Sequence, residues 1–277
     1  GTNALATQNF TTLTDTFNTA VGHSAGTLVT TGTENTLIGG LAGDALTTGD
    51  RNVALGYLAL SSDDVGQRSV AIGRSSLENQ NLATATTVYN TAVGYNSGAS
   101  VTTGVQNTLI GALAASSLTD ADFNTVVGNQ ALTSDTLGSR TTAIGRFAGF
   151  NQNFTAATDS NNVYVGYYAG ANVTTGLSNT LIGTEAGDAL TGSGFSGSTR
   201  QGGADFNIAI GKDALGQDTK GNKSVAIGNA ALNTQNFTTS TDSNNTAVGF
   251  NAGLAVTTGT DNTFIGTQAG VAVTDGN

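Results

Sequence analysis

NTAVG at 18–22, NTLIG at 35–39, NVALG at 52–56 and SVAIG at 69–73 are four versions of one five-residue block that closes on glycine. Fourteen such blocks run through the chain, ending at Gly22, Gly39, Gly56, Gly73, Gly94, Gly111, Gly128, Gly145, Gly166, Gly183, Gly211, Gly228, Gly249 and Gly266. The first four steps between glycines are 17, 17, 17 and 21, which sum to a super-repeat of 72; Gly22, Gly94 and Gly166 obey it. Gly249 follows 83 residues after Gly166, so one super-repeat carries 11 extra residues, placed within Thr191–Ala204. That Gly- and Ser-rich stretch reads as a loop inserted into one rung. A fixed period of this kind is the mark of a repeat architecture.

Within each block, β-branched residues alternate with a period of two, which predicts a short strand. The residue before the glycine is Val, Ile or Leu in every copy, and two positions earlier stands Thr, Val or Ile. Between them lies Ala20, Leu37, Ala54 or an equivalent apolar residue, on the opposite face. A strand that is apolar on both faces is expected to be covered on both. One face lines a core; the other calls for a partner chain along the rod axis. Ala25, Ala42, Ala59 and Ser76, three residues past each glycine, suit a tight second layer. Glycines in Thr30–Thr31–Gly32 and Thr102–Thr103–Gly104 are expected to turn corners at positive φ. Asn or Ser opening most blocks predicts a ladder of stacked side chains. The absence of proline leaves every backbone N–H available for rung-to-rung bonding.

The predicted fold is all-β: a parallel β-solenoid, or β-roll, of about 17 residues per rung, forming one continuous solenoid over residues 1–277. Strand–helix units need roughly 30 residues and do not fit this period. Fourteen rungs at about 4.8 Å would reach roughly 70 Å. The chain opens in the phase of a fourth rung and stops mid-repeat without a capping sequence. Solenoids normally carry polar caps, so the ends are expected to meet neighbouring material or other subunits.

Composition narrows the function. A net charge of −10 offers no basic surface for nucleic acid. No run of 18 apolar residues predicts a membrane span. Cysteine is absent, which removes disulfides and thiolate metal sites, and the single histidine, His23, rules out a multi-histidine zinc site. The missing Met and Trp remove oxidisable side chains and favour an extracellular setting. No catalytic, cofactor-binding or metal-binding residue is assigned, and the chain is read as a non-enzyme.

Two columns stand out as candidate contacts. One residue past the block glycine, the first rung of each super-repeat carries His23, Tyr95, Tyr167 and Phe250, a possible ligand-contact surface repeating at roughly 19 Å. Tyr57, Arg74 and Arg146 share that column, and aromatic platforms suit sugars. Seven residues past the glycine, a four-rung code runs Val29, Leu46, Asp63 and Gln80, with Asp135, Asp218, Gln152 and Gln235 as the polar equivalents. Arg68, Arg140 and Lys223 follow those aspartates, so turn capping, ion pairing or a cation site is open there; one Asp per super-repeat falls short of the six or more oxygens a hard cation needs. Each longer fourth rung opens on QNF or QNL, as at 80–82 and 152–154, and is expected to bulge outward as a contact loop.

SVAIG and NTAVG, each followed by small residues and a glycine turn, resemble the left-handed parallel β-roll heads of trimeric autotransporter adhesins. They are similar, too, to the Asn-Thr-Gly repeats of phage tail-fibre-type proteins. The resemblance implies homotrimers, display at a cell surface or on a virion fibre, and adhesion to a surface glycan or host receptor. The expected function is a structural or adhesive segment of an extracellular fibre. The alternative is a subunit of a filament polymerised head to tail. Ice binding through Thr30–Thr31 and Thr47–Thr48, or glycan depolymerisation, are further readings that the sequence favours less.

Overall fold

The computed structural model describes residues 1–192, 195–196, 199–200 and 202–276. They form an all-β chain with no helix, a parallel β-solenoid of fourteen turns at the predicted spacing. Two compact units divide it, Gly1–Gln130 and Ala131–Asn277, with seven of the main strands in each. The first unit stacks Thr19–Val21, Thr36–Ile38, Val53–Leu55, Val70–Ile72, Thr91–Val93, Thr108–Ile110 and Thr125–Val127. The second stacks Thr142–Ile144, Val163–Val165, Thr180–Ile182, Ile208–Ile210, Val225–Ile227, Thr246–Val248 and Thr263–Ile265. Pairing is in register within each unit: Ala20 opposes Leu37, Leu37 opposes Ala54, and Tyr164 opposes Leu181.

The interior is built from columns. The middle residue of each strand points inward, and Leu37, Ala54, Leu109, Tyr164 and Ala226 are fully buried. The small residues three past the glycine close the opposite wall, with Ala25, Ala59, Ser76 and Ala148 also buried. Volumes compensate between turns, as close packing requires. Where the strand residue is Ala54 or Ala71, the residue four past the glycine is a buried leucine, Leu60 or Leu77. Where it is Tyr164, that position is glycine in the same turn and in the one before. A Cβ on Gly149 or Gly170 would stand 2.6 or 2.5 Å from the Tyr164 ring.

The corners differ from expectation. Gly32 and Gly104 do not take positive φ. They are small because a Cβ there would meet the next turn's backbone at 2.4 Å, from Gly49 O and Ala121 O respectively. Left-handed residues instead form columns of their own. One holds Glu34, Arg51, Arg68, Tyr89 and Gln106, with φ from 55° to 62°. Another, two past the block glycine, holds Leu41, Leu58, Phe147 and Tyr168 at 57° to 60°. A non-glycine residue in this region costs about 1–2 kcal/mol. The turn geometry offsets it at several of these positions by aiming the N–H at the preceding turn: Arg51 N donates to Thr33 O at 2.9 Å, Leu58 N to Gly40 O at 3.1 Å and Tyr168 N to Arg146 O at 3.1 Å.

The asparagine ladder is present, and it runs from side chain to backbone. Asn35 Oδ1 accepts the N–H of Asn52 at 2.9 Å, while its Nδ2 donates to Gly49 O at 2.8 Å. Asn52, Asn107, Asn179 and Asn207 repeat the pattern. Each amide thereby ties two turns together at a point where the backbone leaves the sheet.

The longer fourth turns bulge only in part. Phe154 and Phe237 fold back and are buried, and Thr158–Asp159 and Thr241–Asp242 pair in parallel with Gly138–Ser139 and Gly221–Asn222. In the inserted stretch Thr191–Ala204, Phe195–Ser196 and Thr199–Arg200 pair antiparallel. Residues 193, 194, 197, 198 and 201 of that stretch lie outside the described residues.

Candidate ligand-contact surface

The polar code seven past the glycine is interior. Asp63, Asp135 and Asp218 are fully buried, as are Gln80, Gln152 and Gln235. Each aspartate caps its own turn. Asp135 Oδ1 accepts the N–H of Gly138 and of Phe154, both at 3.1 Å, and Oδ2 accepts Gln152 Nε2 at 2.6 Å. Asp218 repeats this with Gly221, Phe237 and Gln235. The glutamine bridges onward. Gln152 Nε2 donates to Thr141 Oγ1 and its Oε1 accepts from Asn162 Nδ2 at 2.9 Å. The code therefore resolves into turn capping. Fourth-turn blocks open on Ser69, Thr141 or Ser224, too short to hold the asparagine ladder, and the glutamine carries it across.

The anticipated ion pairs to these aspartates do not form. Arg140 pairs with Asp159 at 3.0 Å and Lys223 with Asp242 at 2.6 Å, across longer-turn segments. Arg68 donates to Tyr89 Oη at 2.6 Å. Among the described residues no three His, Cys, Asp or Glu side chains gather as a metal cage.

Burial pushes the carboxyls of Asp63, Asp135 and Asp218 up, against the pull of their glutamine and backbone donors. Asp188 is pushed up to about 6 by burial and then by Glu185 and Asp213. A carboxyl whose folded pKa lies above its unfolded value of about 4 stabilises the fold below that value, and the gain is lost as pH rises through the folded pKa. Asp242, held down by Lys223, works in the opposite sense below about pH 4. The melting temperature is accordingly expected to be highest near pH 4–5 and to fall as pH rises through about 6. A thermal denaturation series over pH checks this, and Asp188→Asn is expected to flatten the upper part of the curve.

The column one past the glycine is on the surface, as its residue types suggest. Tyr95, Tyr167 and Phe250 are about half exposed and His23 is exposed. They are not equivalent. Tyr95 shares Arg74 with Tyr57, the guanidinium carbon lying 5.6 and 5.8 Å from the two ring centroids. Tyr167 belongs to a larger group. Arg146 lies 4.0 Å from the Phe147 centroid and 5.9 Å from that of Tyr167. Tyr168 packs on Tyr167 at 4.5 Å and on Phe147 at 4.8 Å, and Phe147 meets Phe150 edge-on at 5.1 Å. Phe147, Phe150 and Tyr168 escape a search confined to one column. The adjacent pairs Arg146–Phe147 and Tyr167–Tyr168 were the available signal, since the left-handed second residue turns its side chain alongside the first.

The outward strand face is a second candidate surface. Every residue flanking the buried middle position, from Thr19 and Val21 to Thr263 and Ile265, is Thr, Val, Ile or Leu. None is charged, although Leu55 is 43%, Ile110 38% and Ile144 38% exposed. No pocket opens among the described residues. No family model, no curated protein and no solved structure matches the chain.

Proposed function

We propose that the chain is a non-enzymatic structural and adhesive segment of an extracellular fibre or surface adhesin, borne on a cell surface or a virion and assembled from several copies of itself. The observation that carries this reading is the uncharged outward face of the strands. An acidic protein gains solubility from its charges. Keeping them off this one face in all fourteen turns is what an interface between copies requires. A filled interior made of repeated turns supports the role of a stiff spacer. The resemblance of SVAIG and NTAVG to adhesin heads favours a homotrimer.

Sedimentation equilibrium with negative-stain imaging tests the proposal. A discrete multimer is expected, and Ile110→Lys with Ile144→Lys is expected to shift it to monomer with an unchanged circular dichroism spectrum. A wild-type chain that stays monomeric at all concentrations overturns the reading. Filaments far longer than one chain would replace the trimer with head-to-tail assembly.

A further inference from the structure

We infer that two of the three arginine–aromatic groups, Arg74 with Tyr57 and Tyr95 and Arg146 with Phe147, Tyr167 and Tyr168, are binding sites for a carboxylate-bearing saccharide; the third, Arg68 with Tyr89, holds a single ring. The inference rests on the adhesive reading above and names the class of ligand.

Charge is the first argument. The chain carries only nine Lys and Arg against nineteen Asp and Glu. Arg51, Arg140, Lys212 and Lys223 are each paired with a carboxylate. Arg74 and Arg146 have no carboxylate partner among the described residues and lie on aromatic rings instead. Arg68 likewise has no ion pair among the described residues, but it donates to Tyr89 Oη at 2.6 Å. Arg74 gives one donor to Tyr95 Oη at 3.4 Å, and the remaining N–H donors of each guanidinium present a planar fork that matches a carboxylate.

The second argument is the placing of tyrosine. The chain has six. Tyr164 is buried in the core. Tyr57, Tyr89, Tyr95 and Tyr167 each lie against an arginine, and Tyr168 packs on Tyr167. Exposed tyrosine thus occurs only in company with arginine or with such a pair. Tyr57, Arg74 and Tyr95 occupy three consecutive turns and span about 10 Å along the stack. That is the scale of two pyranose rings, whose C–H faces stack on half-exposed tyrosine while a uronate carboxylate meets the guanidinium.

Stacking alone contributes only about 0.5–1 kcal/mol at an exposed site, so a purely stabilising role and a binding role separate cleanly. The full chain is titrated with tetragalacturonate and with neutral cellotetraose, followed by calorimetry and by amide chemical shifts. Tetragalacturonate is expected to bind at least about tenfold more tightly than the neutral sugar, the scale of one charge-assisted bond. Arg74→Gln with Arg146→Gln is expected to remove that preference without lowering the amount of assembled particle, and Arg51→Gln is expected to leave it intact. Equal binding of both sugars, undiminished binding by the double variant, or no binding of tetragalacturonate each overturns the assignment. Because assembly is read separately, a multimer that ignores the acidic sugar refutes this inference alone, whereas a persistent monomer refutes the fibre reading.

Discussion

Replacing Gly111 by alanine is expected to destroy the turns around it and to cost more than about 3 kcal/mol, at the upper end of single-residue effects. Gly111 sits at φ 133°, a conformation that side chains rarely adopt. A Cβ there would lie 2.5 Å from Gly128 O and 2.7 Å from Gly128 C. Both are backbone atoms of the next turn, so no rotamer change relieves the overlap. The same residue donates its N–H to Val93 O at 2.8 Å, and moving it breaks the bond to the turn before as well. Stability in a solenoid is largely a sum of neighbour interfaces, so a fault that opens two interfaces propagates. Hydrogen exchange checks this through loss of protection in peptides covering residues 91–127. Gly40→Ala is the control. Its Cβ would meet nothing closer than Tyr57 Cδ2 at 3.4 Å, and its φ is not positive. A change within about 0.5 kcal/mol is expected there. Wild-type protection in Gly111→Ala would mean that the turns are not stacked at this spacing.

The difference between these two glycines marks how far the sequence could be read. The period, the strands, the asparagine ladder and the inward small residues were legible, because each repeats as a residue type at fixed spacing. The block glycine was legible for the same reason. The left-handed columns were not. Arg51, Tyr89, Leu58 and Phe147 occupy them with no shared chemistry. What they share is a left-handed backbone set by the path of the turn, which leaves no compositional trace. The TTG glycine was legible as a constraint but not for its cause: contact with the next turn decides it rather than φ. The strand residues were recognised as apolar on both faces. Only the three-dimensional arrangement assigns the middle residue to the core and Val, Ile, Leu and Thr to the outside. Among the candidate contacts, Tyr95 and Tyr167 emerge with arginine partners. His23 and Phe250 share the column but have no ring or cation partner among the described residues. The Asp and Gln positions looked like surface chemistry only because aspartate is rarely buried without a countercharge.

That burial leads to the second large effect. Asp135→Asn is expected to destabilise the chain by about 2–4 kcal/mol, although it removes a buried charge. Removing the charge relieves desolvation, but the donors around it then decide the outcome. Oδ1 still accepts the N–H groups of Gly138 and Phe154. The other atom becomes an NH₂ group facing Gln152 Nε2, which donates to Oδ2 at 2.6 Å in the wild type. Turning the Gln152 amide over does not help. Its Oε1 accepts from both Asn162 Nδ2 and Tyr164 Oη at 2.9 Å, and an NH₂ in that place would confront the Asn162 amide, which can only donate there. Adding Gln152→Glu restores complementarity. One oxygen of the introduced carboxylate accepts from the amide now at position 135 and from Thr141, and the other from Asn162 and Tyr164. The double variant is therefore expected to recover most of the lost stability. Gln152→Glu alone sets two carboxylates against each other, and its stability is expected to return in acid, where one shared proton bridges them. Thermal unfolding of the four proteins at pH 5 and pH 8 forms the cycle. A double variant no more stable than Asp135→Asn would show that donor pairing does not govern this interior site, and an unaffected single variant would show that burial of the charge outweighs it.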